Sequence, residues 1–186
     1  MTRPTRQWRP RLRLGISVQP IVLGLLDGIT NALGLTAHSI LGGGSGVGLG
    51  LALRVASFAL VTAVFAIFVS RYVDLRSGLI QAARQLNLLE RGALATTRLG
   101  RAVRRDALAD AAQASVASYS GALFPLGIAV AFPAYRWLPL ALAIGMLTFL
   151  GLVIGKRLGG NPRLWAAGLA VAGIILTGVG AVLNIA

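Results

Sequence analysis

The chain has 186 residues with 18 Lys/Arg against 5 Asp/Glu, a net charge of +13, yet only 12% of its residues are charged and 56% are hydrophobic. A water-soluble domain of this size carries about a quarter charged residues, so the composition and a mean hydropathy of +0.77 point to a single-domain membrane protein. The absence of cysteine excludes disulfides, thiolate metal sites and iron–sulfur clusters, and a single histidine excludes a multi-His metal cage within one chain.

Taken in order, residues 1–16 form a basic arm with five Arg, expected to lie on lipid headgroups with Trp8 as an interface anchor. This arm does not read as a signal peptide: the apolar run behind it is too long, contains Asp27 and lacks a small-x-small cleavage pattern. The first span, 17–41, is apolar except for Asp27, followed by Thr30, Asn31 and His38. A carboxylate within a span costs on the order of 2.5–3.5 kcal/mol on insertion scales, so such a group is read by default as functional. The structural alternative is an aspartate locked to a basic partner or to backbone. Gly24 and Gly28 flank it at the spacing that lets another helix approach closely.

The glycine-rich run 42–50 is a hairpin link rather than a nucleotide loop, because no Lys-Ser/Thr follows it and no strand precedes it. The second span, 51–73, continues as a charged helix that Gly92 ends. Thr96 or Thr97 can cap the next helix. There Leu99, Ala102, Val103 and Ala107 make an apolar stripe opposite Arg98, Arg101, Arg104 and Arg105. Segment 74–111 is therefore expected as short amphipathic helices on the cytosolic face, against anionic headgroups or as a solvated surface. The acids Asp106 and Asp110 share a face there and are expected to balance arginines rather than bind metal.

The third span, 112–132, holds Ser115, Ser118, Tyr119, Ser120, Gly121 and an internal Pro125 that is expected to kink it. After the turn PAYRWLP comes the fourth span, 138–154, where Met146 reads as packing; a basic turn leads to the fifth, 164–185. Gly151 and Gly155, with Gly168, Gly173, Gly178 and Gly180, mark close helix packing. Sixteen of the 18 basic residues fall in the arm, in 71–105 and in 156–163, leaving only Arg54 and Arg136 opposite. The positive-inside rule then places the N-terminus in the cytosol and the C-terminus outside. The fold class expected is an all-α, polytopic protein of five transmembrane helices, 17–186 forming one domain.

The stretch QPIVLGLLDGITNALGLTA (19–37), with its Asp-Gly-x-Thr, resembles the first helix of the vacuolar iron transporter family; SYSGALFPLGIA (118–129) resembles that family's Gly-Ala-Leu-x-Pro-Leu helix, and the closing Gly-rich pair resembles its last two helices. The resemblance covers 17–185. It implies a homodimer that exports ferrous iron or a related divalent cation from the cytosol in exchange for protons, with Asp27 as transport aspartate and a path between the first two helices. The chain departs from that pattern at Ser70-Arg71-Tyr72-Val73-Asp74, where Arg71 replaces a glutamate and an acid returns at Asp74. It also lacks the acidic, Met-rich cytosolic metal-binding domain of many members.

The candidate path is therefore Asp27, Thr30, Asn31, Arg71, Asp74 and His38, with Asp27 as the metal ligand for Fe2+ or Mn2+ and two copies supplying paired carboxylates. Arg71 has three open choices: to pair with Asp74, to snorkel to headgroups, or to pair with Asp27 and close the path. His38 reads as an interface hydrogen-bonding group or a proton relay. No nucleophile–base constellation suggests an enzyme, no resident cofactor is implied, and nucleic acid is not an expected partner. Two other readings stand beside export. One is a transport-silent family member serving as a structural or interaction subunit with other membrane subunits; the other is transport of an anion or lipid-like solute. The Arg-rich, Lys-poor composition suggests a bacterial plasma membrane.

Overall fold

In lipid a chain must satisfy its backbone hydrogen bonds within itself, and the apolar runs do so as helices. The computed structural model describes residues 18–41, 47–85 and 98–183. Its five helices are α1 (Val18–Leu41), α2 (Leu49–Gln85), α3 (Arg98–Ala131), α4 (Leu138–Arg157) and α5 (Pro162–Leu183). Each is long and apolar enough to cross a membrane, and all regular structure among the described residues is helical.

α3 lies at the centre of the first three helices. It packs extensively on α1 and on α2, which touch each other over a shorter stretch. Among the described residues the buried side chains of α2 are all alanines, and those of α3 are largely small as well. Ala52, Ala56, Ala59 and Ala63 of α2 are buried, as are Ala107, Ala111, Ala114 and Ala122 of α3. Small residues let two backbones approach and gain dispersion contacts that lipid cannot match. α1 reaches α3 more closely still: a side chain at Gly24 or Gly28 would overlap the carbonyl oxygens of Ala114 and Ser118, and one at Gly121 would press on the Leu25 carbonyl.

The other side of α1 carries Ile29, Leu33 and Ala37 onto Leu140, Ala143 and Leu147 of α4, with Leu169 of α5 and Met146 packed around them. α4 and α5 form a hairpin. Gly151 and Gly155 lie against the backbone of Trp165 and Pro162; a Cβ on Gly155 would stand 2.6 Å from Pro162 Cα. Between the helices, Gly159 at φ 67° turns the chain, and the Gly160 N–H donates to the Gly155 carbonyl at 3.1 Å. This is the glycine-terminated helix end whose left-handed residue favours Gly. Asn161 then caps α5, its Oδ1 accepting from the Arg163 N–H at 3.1 Å, with Pro162 in the first helical position.

The structure corrects the expected elements in two places. The amphipathic segment and the third span are not two helices: α3 runs unbroken from Arg98 to Ala131, straight through the buried Pro125. The charged continuation of the second span is one helix with it, as expected, through Gln85. In α5 Gly173 meets Leu147, Ile144 and Leu33, whereas nothing stands within 4 Å of a side chain added at Gly168 or Gly178, so these two do not mark close packing; the surroundings of Gly180 lie outside the described residues. The expected helix end at Gly92 and the caps at Thr96 or Thr97 lie outside the described residues, as do the arm 1–16 and most of the glycine link.

Candidate functional site

Asp27 sits on α1 where α1 and α2 come together on α3. Ser118, fully buried on α3, donates its hydroxyl proton to Asp27 Oδ2 at 2.8 Å; the Ser118 Oγ also stands 3.3 Å from the Ala59 carbonyl of α2. One serine thus ties three helices at the level of the carboxylate. The close approach permitted by Gly28, which lies on the Ser118 carbonyl, brings the two side chains into range.

The remaining oxygen, Asp27 Oδ1, has no partner among the described residues and is not sealed within the protein. At about 100° per residue, Leu23, Asp27, Thr30, Asn31, Gly34 and His38 fall within about 60° either side of Asp27 on α1. The opposite face, Ile29, Ala32, Leu33 and Thr36, is buried. The Asp27 stripe is only partly covered. It holds the only acidic and imidazole side chains of α1, together with the amide of Asn31. Thr30 donates its proton to the Asp27 backbone carbonyl at 2.9 Å, leaving its oxygen lone pairs available. The Asn31 side chain has no hydrogen bond among the described residues, the Nδ1 of His38 is buried without one, and nothing approaches within 4 Å of a side chain built on Gly34. Polar groups at this depth of an apolar helix require water, a cation or a second protein surface, since an unpaired one costs several kcal/mol, on the order of 2–7.

Arg71 does not reach Asp27. Its Nε donates to Asp110 Oδ2 at 2.8 Å, and its guanidinium lies 3.6 Å from Asp74. Of the three choices left open, the structure takes the Asp74 contact and adds Asp110 as the stronger partner, tying α2 to α3. Asp106 is exposed. Twelve residues of α2 separate Arg71 from Ala59, and eight of α3 separate Asp110 from Ser118, so this ion pair lies about 12–18 Å along the helices from the carboxylate. His38 lies about 16 Å from Asp27 in the other direction. The six candidate residues therefore do not form one site. Three cluster at Asp27, two join the ion pair, and His38 stands alone near the α1–α2 hairpin.

The separation decides an electrostatic question. At 12–18 Å and an effective dielectric of about 20, Arg71 alone would repel a divalent cation at Asp27 by about 2–3 kcal/mol, and Asp110 with Asp74 offsets most of that. Arg71→Ala is expected to loosen the α2–α3 seam by about 1–3 kcal/mol, the range for a partly buried charged hydrogen bond. A thermal melt of the purified protein checks this, and the swap of Arg71→Asp with Asp110→Arg should recover part of the loss.

Asp110, expected to balance nearby arginines, does so through Arg71, while Ser118 is the neighbour of Asp27 that sequence alone does not select. Both are visible as polar residues near α1 and α2 in composition, but which serine faces Asp27 depends on helix register. Among the described residues no three His, Cys, Asp or Glu side chains gather as a metal site would need, so one chain offers a divalent cation a single carboxylate.

Fold and stripe together define a class: an all-helical protein with five helices able to cross a membrane, carrying a carboxylate, Asp27, within the first of them. Comparison with protein-family models, with curated proteins and with solved structures gave no match to this chain.

Proposed function

We propose that the chain is a proton-coupled exporter of a divalent metal cation, Fe2+ or Mn2+, that works as a homodimer with Asp27 at the binding point. The observation that carries the reading is the half-satisfied carboxylate: Oδ2 is held by Ser118 while Oδ1 has no hydrogen-bond partner among the described residues, on the same partly covered stripe of α1 as Thr30 and Asn31. A hard or borderline cation takes several oxygen ligands. Two stripes facing each other supply two carboxylates and the oxygens of Thr30 and Asn31 from each copy. Two close carboxylates also favour holding a proton when the metal leaves, since both cannot easily stay ionised. The resemblance of 19–37 and 118–129 to the vacuolar iron transporters supports the same reading, with the basic arm and the Arg71 end of the bundle in the cytosol.

The test is the purified protein in liposomes under a pH gradient, with a metal-sensing dye and a proton-sensing dye inside. Export coupled to protons predicts metal movement that needs the gradient and proton movement that needs the metal. Liposomes in which neither dye responds to Fe2+ or Mn2+ would refute it.

One observation favours a second reading, a structural subunit without transport. Asp27 already anchors α1 to α3 through Ser118, and an anchor needs no cargo. The two readings part at the substitution of Asp27 treated below.

A further inference from the structure

At the opposite end of the bundle from Arg71, the turn between α3 and α4 folds over the C-terminal end of α1. A cavity of about 220 Å³ lies there. Most of its wall is apolar, with Ile40 and Val47 beside α1 and α2, Ala129 and Phe132 at the end of α3, and Pro133 in the turn. Arg136 lies at its edge. One guanidinium nitrogen donates to the Ser39 carbonyl at 3.0 Å, one of the last carbonyls of α1 that lack a partner within the helix. A guanidinium has five N–H donors, and Arg136 shows no other partner among the described residues. Tyr135 and Trp137, beside it in the turn, are 67% and 61% exposed. Aromatic side chains of this kind settle at the boundary between acyl chains and headgroups.

We infer that this cavity is a seat for one anionic phospholipid, its phosphate on Arg136 and the first part of an acyl chain in the apolar recess. Charge selects the headgroup: the turn 132–138 and the hairpin-side end of α1 carry no acid, and Arg136 is the one cation on the cavity wall. Arginine suits a phosphate because its fork can make paired hydrogen bonds. Apolarity selects a lipid over a free phosphate, which would find no second polar wall. Size agrees, since the recess is smaller than the roughly 300–1,000 Å³ of ordinary small-molecule sites and accommodates part of one chain. This site does not depend on transport, and the basic segments that favour headgroups from sequence lie at the other end of the helices.

The experiment is thermal unfolding of the lipid-stripped full chain in a neutral detergent, with phosphatidylglycerol, phosphatidylcholine or glycerol phosphate added. Phosphatidylglycerol is expected to raise the midpoint by about 5 °C, a shift in keeping with ligand at many times its dissociation constant. Phosphatidylcholine should give less than half of that and glycerol phosphate none. Arg136→Gln also removes the cap on Ser39 and lowers the baseline, so the readout is the lipid-induced shift. Ala129→Phe fills the recess and leaves the guanidinium in place. Loss of the shift in both variants supports the seat. A full shift retained in either variant, an equal shift with phosphatidylcholine, a shift with glycerol phosphate alone, or no shift with any lipid would overturn it.

Discussion

Asp27→Asn is expected to abolish the proposed metal transport and to leave the protomer folded. Asn has nearly the volume of Asp, and its carbonyl oxygen can accept the Ser118 hydroxyl proton that Asp27 Oδ2 accepts at 2.8 Å. The tie between α1 and α3 therefore survives. The charge does not. A carboxylate and a divalent cation about 4 Å apart at an effective dielectric of about 20 attract by roughly 8 kcal/mol. Even a small residue of that after desolvation exceeds the 1.4 kcal/mol that makes a tenfold difference in affinity. Uptake by liposomes carrying Asp27→Asn should fall at least about a hundredfold, with the unfolding midpoint held or raised because no charge is left in the span.

Ser118→Ala is the complementary change. It keeps the charge and removes a hydrogen bond to it, costing about 1.5–3 kcal/mol of stability, and transport should persist at a reduced rate. If Asp27 serves only as an anchor, the order reverses: Asp27→Asn is silent in every assay and Ser118→Ala is the damaging change. Full transport by Asp27→Asn refutes the proposed function outright.

The spans were legible because an apolar run of lipid length has few alternatives, and the residues that end such runs are the Gly, Pro and Arg of the turns. What sequence marks is a change of composition, and a helix does not end where composition changes. α3 shows this. Its backbone hydrogen bonds continue from Arg98 through the charged Arg101–Asp106 turns into the apolar part without a break, because side-chain polarity decides what surrounds a helix rather than whether it forms.

The carboxylate was legible for a similar reason: a lone acid in such a run is costly wherever it points. Its partner was not. Ser115, Ser118 and Ser120 are equal candidates by composition, and only the register set by Gly24 and Gly28 against Ala114 and Ser118 turns one of them to Asp27. Arg71 fails to be legible by the same argument. Its carboxylate partner lies 39 residues away, on a helix whose register against α2 follows from a row of alanines. Gly168 and Gly178 show the converse error, since small-residue spacing permits close packing and does not compel it.

Alanine at Gly28 should destabilise the protein, and alanine at Gly34, six residues along the same helix, should not. Helix propensity treats the two alike, each gaining about 0.5–1 kcal/mol from loss of backbone freedom in the unfolded chain. Their surroundings differ. Nothing stands within 4 Å of a side chain added at Gly34. A methyl at Gly28 falls on the Ser118 carbonyl oxygen, with the Ala122 backbone nitrogen 2.9 Å away. These are backbone atoms of a helix that also packs extensively on α2, so they cannot yield as a side chain would. α3 must move off α1 as a body, and the Ser118–Asp27 hydrogen bond lengthens with it. Overpacking against backbone costs about 2–3 kcal/mol, the upper part of the usual range, which outweighs the propensity gain and lowers the midpoint by about 2–10 °C for a chain of this length. Gly24→Ala should act in the same direction against the Ala114 carbonyl. The pair Gly28→Ala and Gly34→Ala, melted side by side in one detergent, reads the sign directly. Equal midpoints would mean that α1 and α3 do not meet through these glycines, and the geometry that holds Asp27 in place would fall with that contact.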